Sequence, residues 1–138
     1  MAGEVSAAEA VPVAEFRAAL RGFMRTSERN ARAAGLTPQR YLLLLMIKGA
    51  ADGSEQSTVT ELADQLQLAQ STVTELVSRA EEIGLVERSR SSDDGRIAIL
   101  RLTDEGERRL AATFRSNARE RDSLSKAFAQ ALSAGPPT

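Results

Sequence analysis

Cysteine, histidine and tryptophan are all absent from the 138 residues. Without cysteine there is no disulfide and no thiol redox sensor. Without either cysteine or histidine there is no Cys/His zinc site and no catalysis through a thiolate or an imidazole. Carboxylates, hydroxyls, a single tyrosine, lysines and arginines are what remain for chemistry. The tight acidic pairs Glu81-Glu82 and Asp93-Asp94 are sequence neighbours, which point apart on a helix and are solvated in a turn. No activated nucleophile pairs with a base. The expectation is a protein that is not an enzyme and needs neither metal nor cofactor. Tyr41 reads as core or pocket edge, not catalytic.

Long apolar runs are also missing. None approaches the roughly 20 residues of a membrane span. The opening MAGEVSAAEAVPVAEF has no basic start leading into an apolar core, so it does not read as a secretory signal. A cytoplasmic protein with no membrane partner is expected. An excess of positive charge is lacking too: 18 basic residues face 19 acidic ones, for a net charge of −1. The total therefore does not announce nucleic-acid binding, but the distribution is uneven. No Lys or Arg stands between Lys48 and Arg79, whereas Asp52, Glu55, Glu61, Asp64 and Glu75 do. Basic residues gather at Arg79, Arg88, Arg90, Arg96 and Arg101, and again at Arg17, Arg21, Arg25, Arg29 and Arg32.

The most organised stretch runs from Thr60 to Leu102. Val73, Leu76, Val77, Ala80 and Ile83 fall at i, i+3, i+4, i+7 and i+10, one apolar stripe on a helix of about three turns. Gly84 follows, where a left-handed cap is expected. The start and opposite face carry Gln70, Ser71, Thr72, Thr74, Glu75, Ser78 and Arg79, groups able to hydrogen-bond base edges and phosphates in a major groove. Before this helix, Thr60 reads as the cap of a short helix from Glu61 to Leu66 or Gln67, with Leu62, Ala63 and Leu66 inward. Leu68-Ala69-Gln70 leaves room only for a turn, so the two helices cross at a large angle. The second helix has two candidate starts: Ala69, a poor cap, or a capping box at Thr72-x-x-Glu75. After it, Leu85 to Arg90 and Ile97 to Leu102 alternate as strands around Ser91-Ser92-Asp93-Asp94-Gly95, a hairpin turn with an Asp-Gly signal. Arg90 and Arg96 flank that turn. Arg96 can enter a minor groove, with Asp94 holding its guanidinium. Helix, turn, helix, strand, loop, strand is a winged helix-turn-helix.

The rest of the chain frames this lobe. Residues 1–11 read as frayed. A helix is expected from Pro12 to about Ala34, with Phe16, Ala19, Leu20, Phe23, Met24, Ser27 and Ala31 on its apolar face and Gly35 as its stop. Arg17, Arg21, Arg25, Arg29 and Arg32 drift beside that face, either as a solvated surface or as a lining for an anionic effector or phosphate. Thr37-Pro38 starts another helix through YLLLLMI (41–47), apolar on nearly all sides and so buried. Residues 49–56 form a loop, and 57–59 allow a short strand. Thr103 caps a last helix in which Gly106 costs about 1 kcal/mol against Ala unless another backbone approaches closely. Leu110, Phe114, Ala118, Leu124, Phe128 and Leu132 continue its apolar line to about residue 133, and AGPPT frays. At nearly 30 residues such a helix would be about 45 Å long. It is longer than one small domain covers, unless it breaks between Arg115 and Ser123. A symmetric dimer would cover the remainder.

The fold expected is mainly α, an α+β winged helix-turn-helix within a single domain, 1–138. The DNA-binding lobe is 37–102, and the dimerisation helices are 12–35 and 104–133. Assembled in order, ELADQLQLAQSTVTELVSRAEEIGLVERSRSSDDGR followed by IAILRLTDEG resembles the MarR family of bacterial transcription regulators. The resemblance rests on the recognition helix, on Asp94-x-Arg96 and on Leu102-Thr-x-x-Gly106, and covers about residues 12–120. It implies a homodimer placing two recognition helices in successive major grooves of a pseudo-palindrome, half-sites about one helical turn apart. Ser71, Thr72 and Thr74 match base- or phosphate-facing positions, Arg79 a backbone contact, and Arg96 the wing-tip arginine. Glu75 departs from the basic residue common there. Phe16, Leu20, Leu110, Phe114, Leu124, Phe128 and Leu132 fall to the dimer interface. A repressor released by a small aromatic or anionic effector is the implied activity. The competing class is a winged-helix protein-interaction module without sequence-specific DNA binding, favoured by the missing bases between 49 and 78.

Overall fold

The computed structural model describes residues 3–91 and 93–133. Its elements in order are α1 (Ala7–Ala33), α2 (Pro38–Lys48), α3 (Val59–Leu66), α4 (Gln70–Glu82), β1 (Val86–Arg90), β2 (Ala98–Leu102), α5 (Asp104–Ser116) and α6 (Ala118–Ser133). The expected tail 134–138 and Ser92 of the hairpin loop lie outside the described residues. The described residues fall into two compact units: residues 31–113, and residues 3–30 with 114–133. The first holds the winged helix.

In residues 31–113, α2, α3 and α4 turn their apolar faces to one core. Leu43, Leu44, Ile47, Leu62, Val73 and Val77 are fully buried there, joined by Leu85 and Leu100 from the sheet. Each such side chain contributes about 1.5–3 kcal/mol relative to an exposed one. Tyr41 is buried as expected. The YLLLLMI run is less uniformly buried than its composition suggests, because a helix on the edge of the core cannot bury every side: Leu42 is 42% exposed. The strands pair antiparallel with Val86 opposite Leu102 and Arg90 opposite Ala98. The expected strand at 57–59 shrinks to one bridge between Ser57 and Leu100, since Val59 already begins α3.

Two helix starts differ from expectation and a third falls to one of its two candidates, each for a local reason. The cap of α3 is Thr58, not Thr60: its hydroxyl accepts from the Glu61 amide at 3.2 Å and donates to the Glu61 carboxylate at 3.1 Å. That hydroxyl cap begins the helix two residues sooner. For α4 the cap position is Ala69, with no side-chain cap bond, so the box at Thr72 does not form. For α1 the helix begins at Ala7, not Pro12, because Ser6 caps it by accepting from the Glu9 amide at 3.1 Å. Residues 7–11 are therefore helical rather than frayed. Pro12 sits inside the helix, where it has no N–H to give Ala8. Thr37 caps α2 as expected, accepting from the Arg40 amide at 3.2 Å, and Gly35 and Gly84 take φ of +79° and +78°.

In residues 1–30 and 114–133, α6 contributes Phe128 against Phe16 of α1, ring centroids 5.3 Å apart. Asn117 separates α5 from α6, so the two readings of the last helix resolve to a break. Its buried amide accepts from Asn30 Nδ2 at 2.8 Å and donates to Ser27 Oγ at 3.0 Å. Phe114, Phe128 and Leu132 remain 40%, 49% and 66% exposed, and Met24 54%. Leu110, grouped with them from the sequence, belongs instead to the winged-helix core at 5% exposure, so its side chain is occupied within the subunit.

Candidate nucleic-acid interface

Helix α4 is amphipathic enough to be read by its angles. Val73, Val77 and Ala80 are buried and Leu76 is half-buried. Ile83, the expected end of the stripe, lies past the helix and is 44% exposed. On the outward side Ser71, Thr72, Thr74, Glu75 and Arg79 are exposed and Ser78 is half-buried. Because the helix starts at Gln70 without a side-chain cap, the Thr72 hydroxyl is not consumed by capping. Glu75 forms a loose pair with Arg79, 3.5 Å apart and both well exposed. Such a pair is worth a few tenths of a kcal/mol in water, so DNA could separate it at little cost. Gln70 is less free: its amide nitrogen reaches Thr60 Oγ1 of α3 at 3.3 Å.

The wing is fastened to this helix at two points that sequence reasoning did not assign. Arg88 on β1 donates from Nε and Nη2 to Glu81 Oε1 at 3.1 and 2.7 Å. Thr103 Oγ1, after β2, donates to the Gly84 carbonyl at 2.6 Å and accepts from the Gly106 amide at 3.1 Å. Arg88 was visible only as one of several basic residues; nothing in its spacing from Glu81 marks the pair. A further brace ties the end of α2 to α5 and to the loop before α3. Lys48 Nζ donates to Glu107 Oε1 at 3.0 Å and also pairs with Glu55. Bonding to Glu55 and then Glu107 raises the Lys48 pKa above its ordinary value, and the same Lys48 bond lowers that of Glu55.

At the hairpin tip, Ile97 N donates to the Asp94 carbonyl at 3.0 Å, and Arg96 N donates to Asp94 Oδ1, also at 3.0 Å. The Asp94 carboxylate thus shapes the turn through the backbone. Its pairing with the guanidinium is loose: Arg96 Nε stands 3.8 Å from Asp94 Oδ1, and the Arg96 side chain is 97% exposed. A turn fixed by Asp94 with its arginine projecting freely suits insertion into a narrow groove. Arg90 is exposed at the end of β1. Ser71, Thr72, Thr74, Glu75, Arg79, Arg90, Asp94 and Arg96 thus all lie on exposed positions of one compact unit.

Residues 34–97, which contain α2 through the hairpin tip, match the family model described as the MarR family. Over that stretch, a little under half of its length, the chain is similar to the MarR family. Among curated proteins it is 35% identical over 71 residues to the organic hydroperoxide resistance transcriptional regulator of Bacillus subtilis. That alignment covers 51% of this chain and 46% of the regulator, so it spans about half the length of the relative. The PcaV transcriptional regulator of Streptomyces coelicolor, solved in complex with its natural ligand, is 30% identical, with 64% of this chain and 60% of that one covered and a TM-score of 0.54. A mutant MarR from E. coli, solved with operator DNA, is 21% identical over 86% of this chain and 83% of its own, with a TM-score of 0.65. At that identity the likeness establishes the MarR fold. Among the described residues no helix is long and apolar enough to cross a membrane.

Proposed function

We propose that this chain is a sequence-specific DNA-binding transcription regulator, acting as a homodimer on a pseudo-palindromic operator. The observation that carries the reading is α4 presenting Ser71, Thr72, Thr74 and Arg79 outward, with Arg96 exposed on the hairpin of the same unit. Ser71, Thr72 and Thr74 read base edges or hold phosphates, Glu75 accepts from cytosine N4, and Arg96 enters the minor groove. Gln70, Ser78 and Arg90 border these contacts. Phe16, Leu20, Phe114, Leu124, Phe128 and Leu132 form the dimerisation surface; the exposure of Phe114, Phe128 and Leu132 supports this, since monomers rarely leave such side chains together in water. Repression, release by a small aromatic or anionic effector, and a cytoplasmic location complete the reading. The natural ligand in the complex of the similar PcaV regulator supports an effector here. The side chains here bind rather than catalyse.

The test is fluorescence anisotropy on duplexes tiled across the DNA upstream of the chain's own coding region. Saturable binding to one tile, stoichiometric with a dimer, is expected. Equal, weak binding to every tile would overturn sequence-specific regulation and favour a winged helix that binds protein.

A further inference from the structure

The recognition helix has two flanks, and they meet different neighbours. On one flank Gln70 bonds Thr60 of α3 and Glu81 bonds Arg88 of the wing. On the other, Thr72, Glu75 and Arg79 share an open groove with Thr37, Gln39 and Arg40 at the start of α2. A major groove has a phosphate strand on each side. With α4 along its floor, the wing and α3 stand against one strand, and the α2 groove faces the other.

The groove has the composition of a phosphate seat. Arg40 and Arg79 bring two guanidiniums, Thr72 a hydroxyl and Gln39 an amide. Its one carboxylate, Glu75, is drawn toward Arg79 at 3.5 Å. The first turn of α2 carries no acidic residue. Among the described residues the Arg40 guanidinium has neither a carboxylate within 4.0 Å nor a side-chain hydrogen bond, although Arg40 is half-buried. Its backbone amide alone serves the Thr37 cap. The arginine is thus half-buried with its head uncommitted. It also compensates for the lack of Lys and Arg between residues 49 and 78 by bringing a base from outside that interval.

We infer that Arg40, with Gln39, is a DNA-backbone contact: the start of α2 seats a phosphate of the strand bordering the major groove, beside Arg79. This rests on the regulator reading above. A phosphate contact carries no sequence information, so its removal should weaken all duplexes alike.

The experiment compares wild type, Arg40→Ala, Gln39→Arg and Arg96→Ala on a bound duplex and on an unrelated one, across a salt series. Arg40→Ala is expected to weaken both by a similar factor, on the order of 3- to 10-fold, and to reduce the slope of log K against log salt by about 0.9 per protomer. Gln39→Arg is expected to steepen the slope, a gain that misfolding does not produce. Wild-type affinity and slope for Arg40→Ala, alongside weakened binding by Arg96→Ala, would overturn this inference and leave the regulator reading intact. Absence of duplex binding by the wild-type chain would overturn both.

Discussion

Gly106 shows how one backbone atom can reverse a general preference. In a helix, glycine is less favourable than alanine by about 1 kcal/mol. Here α5 begins against the loop before β1, and a Cβ on Gly106 would run into the carbonyl oxygen of Leu85. That carbonyl is fixed by accepting from Thr103 N at 3.0 Å, while Thr103 also holds the Gly84 carbonyl. The Leu85 backbone therefore cannot yield without loosening the link between β2 and the end of α4. Gly106→Ala is expected to destabilise the protein by about 1–3 kcal/mol, against the helix-propensity sign. Urea unfolding checks it, and a stabilised variant would show that the approach is not tight. The close approach was legible in the sequence, because a glycine in a first turn after a good cap has no other local reason. Its partner was not, since nothing in the spacing of residues 85 and 106 ties them together.

Among elements, periodicity was legible where one face is buried and blind where a polar side chain decides. The stripe of α4 and the two strands came within about a residue of their bounds, because their apolar spacing admits one face only. The cap of α3 did not: Thr58 and Thr60 are the same residue type, and Glu61, three residues after Thr58, is the signal that separates them. The outward residues of α4 were legible for the same reason as its core. The Arg88–Glu81 strut and the α2 groove were not, because both depend on how elements meet. The break at Asn117 belongs to this class. Its side chain, bonded to Ser27 and Asn30, lies buried where an apolar residue would let the helix pattern continue. Arg121 adds to the corner, donating to the Phe114 carbonyl at 3.0 Å with its guanidinium 3.8 Å over the Phe114 ring. Asn117→Leu strands the polar groups of Asn30 and Ser27 and is expected to cost about 1–3 kcal/mol. An unchanged thermal midpoint would contradict that role.

For the whole molecule, the charge pattern says more than the near-zero sum. Without histidine, no side chain in the chain titrates at its ordinary pKa between about pH 5 and 8. The shifts present lie outside that range. Glu105 is held below its ordinary value by Arg109 and then Arg108, Glu55 by Lys48, and Asp52 by the Ser54 hydroxyl and amide. Depressed carboxylates stabilise the fold above their unfolded pKa, and this is lost as pH falls through the folded value. Lys48, raised, acts oppositely: its contribution is present below the unfolded pKa and lost as pH rises through the folded one. Thermal midpoints are therefore expected to be flat from roughly pH 6 to 9 and to fall beyond both ends. A step near pH 6.5 would contradict this.

The shortage of bases from 49 to 78 also limits how many phosphates a dimer can neutralise. The central measurement is anisotropy of wild type and Arg96→Ala on the duplex that binds best, at two or more salt concentrations. A sequence-specific winged helix gives saturable dimer binding, weakened by Arg96→Ala, with a salt slope below that of about ten neutralised phosphates. Binding indifferent to duplex sequence, undiminished by Arg96→Ala, would contradict the assignment of α4 and the hairpin as an operator-reading surface.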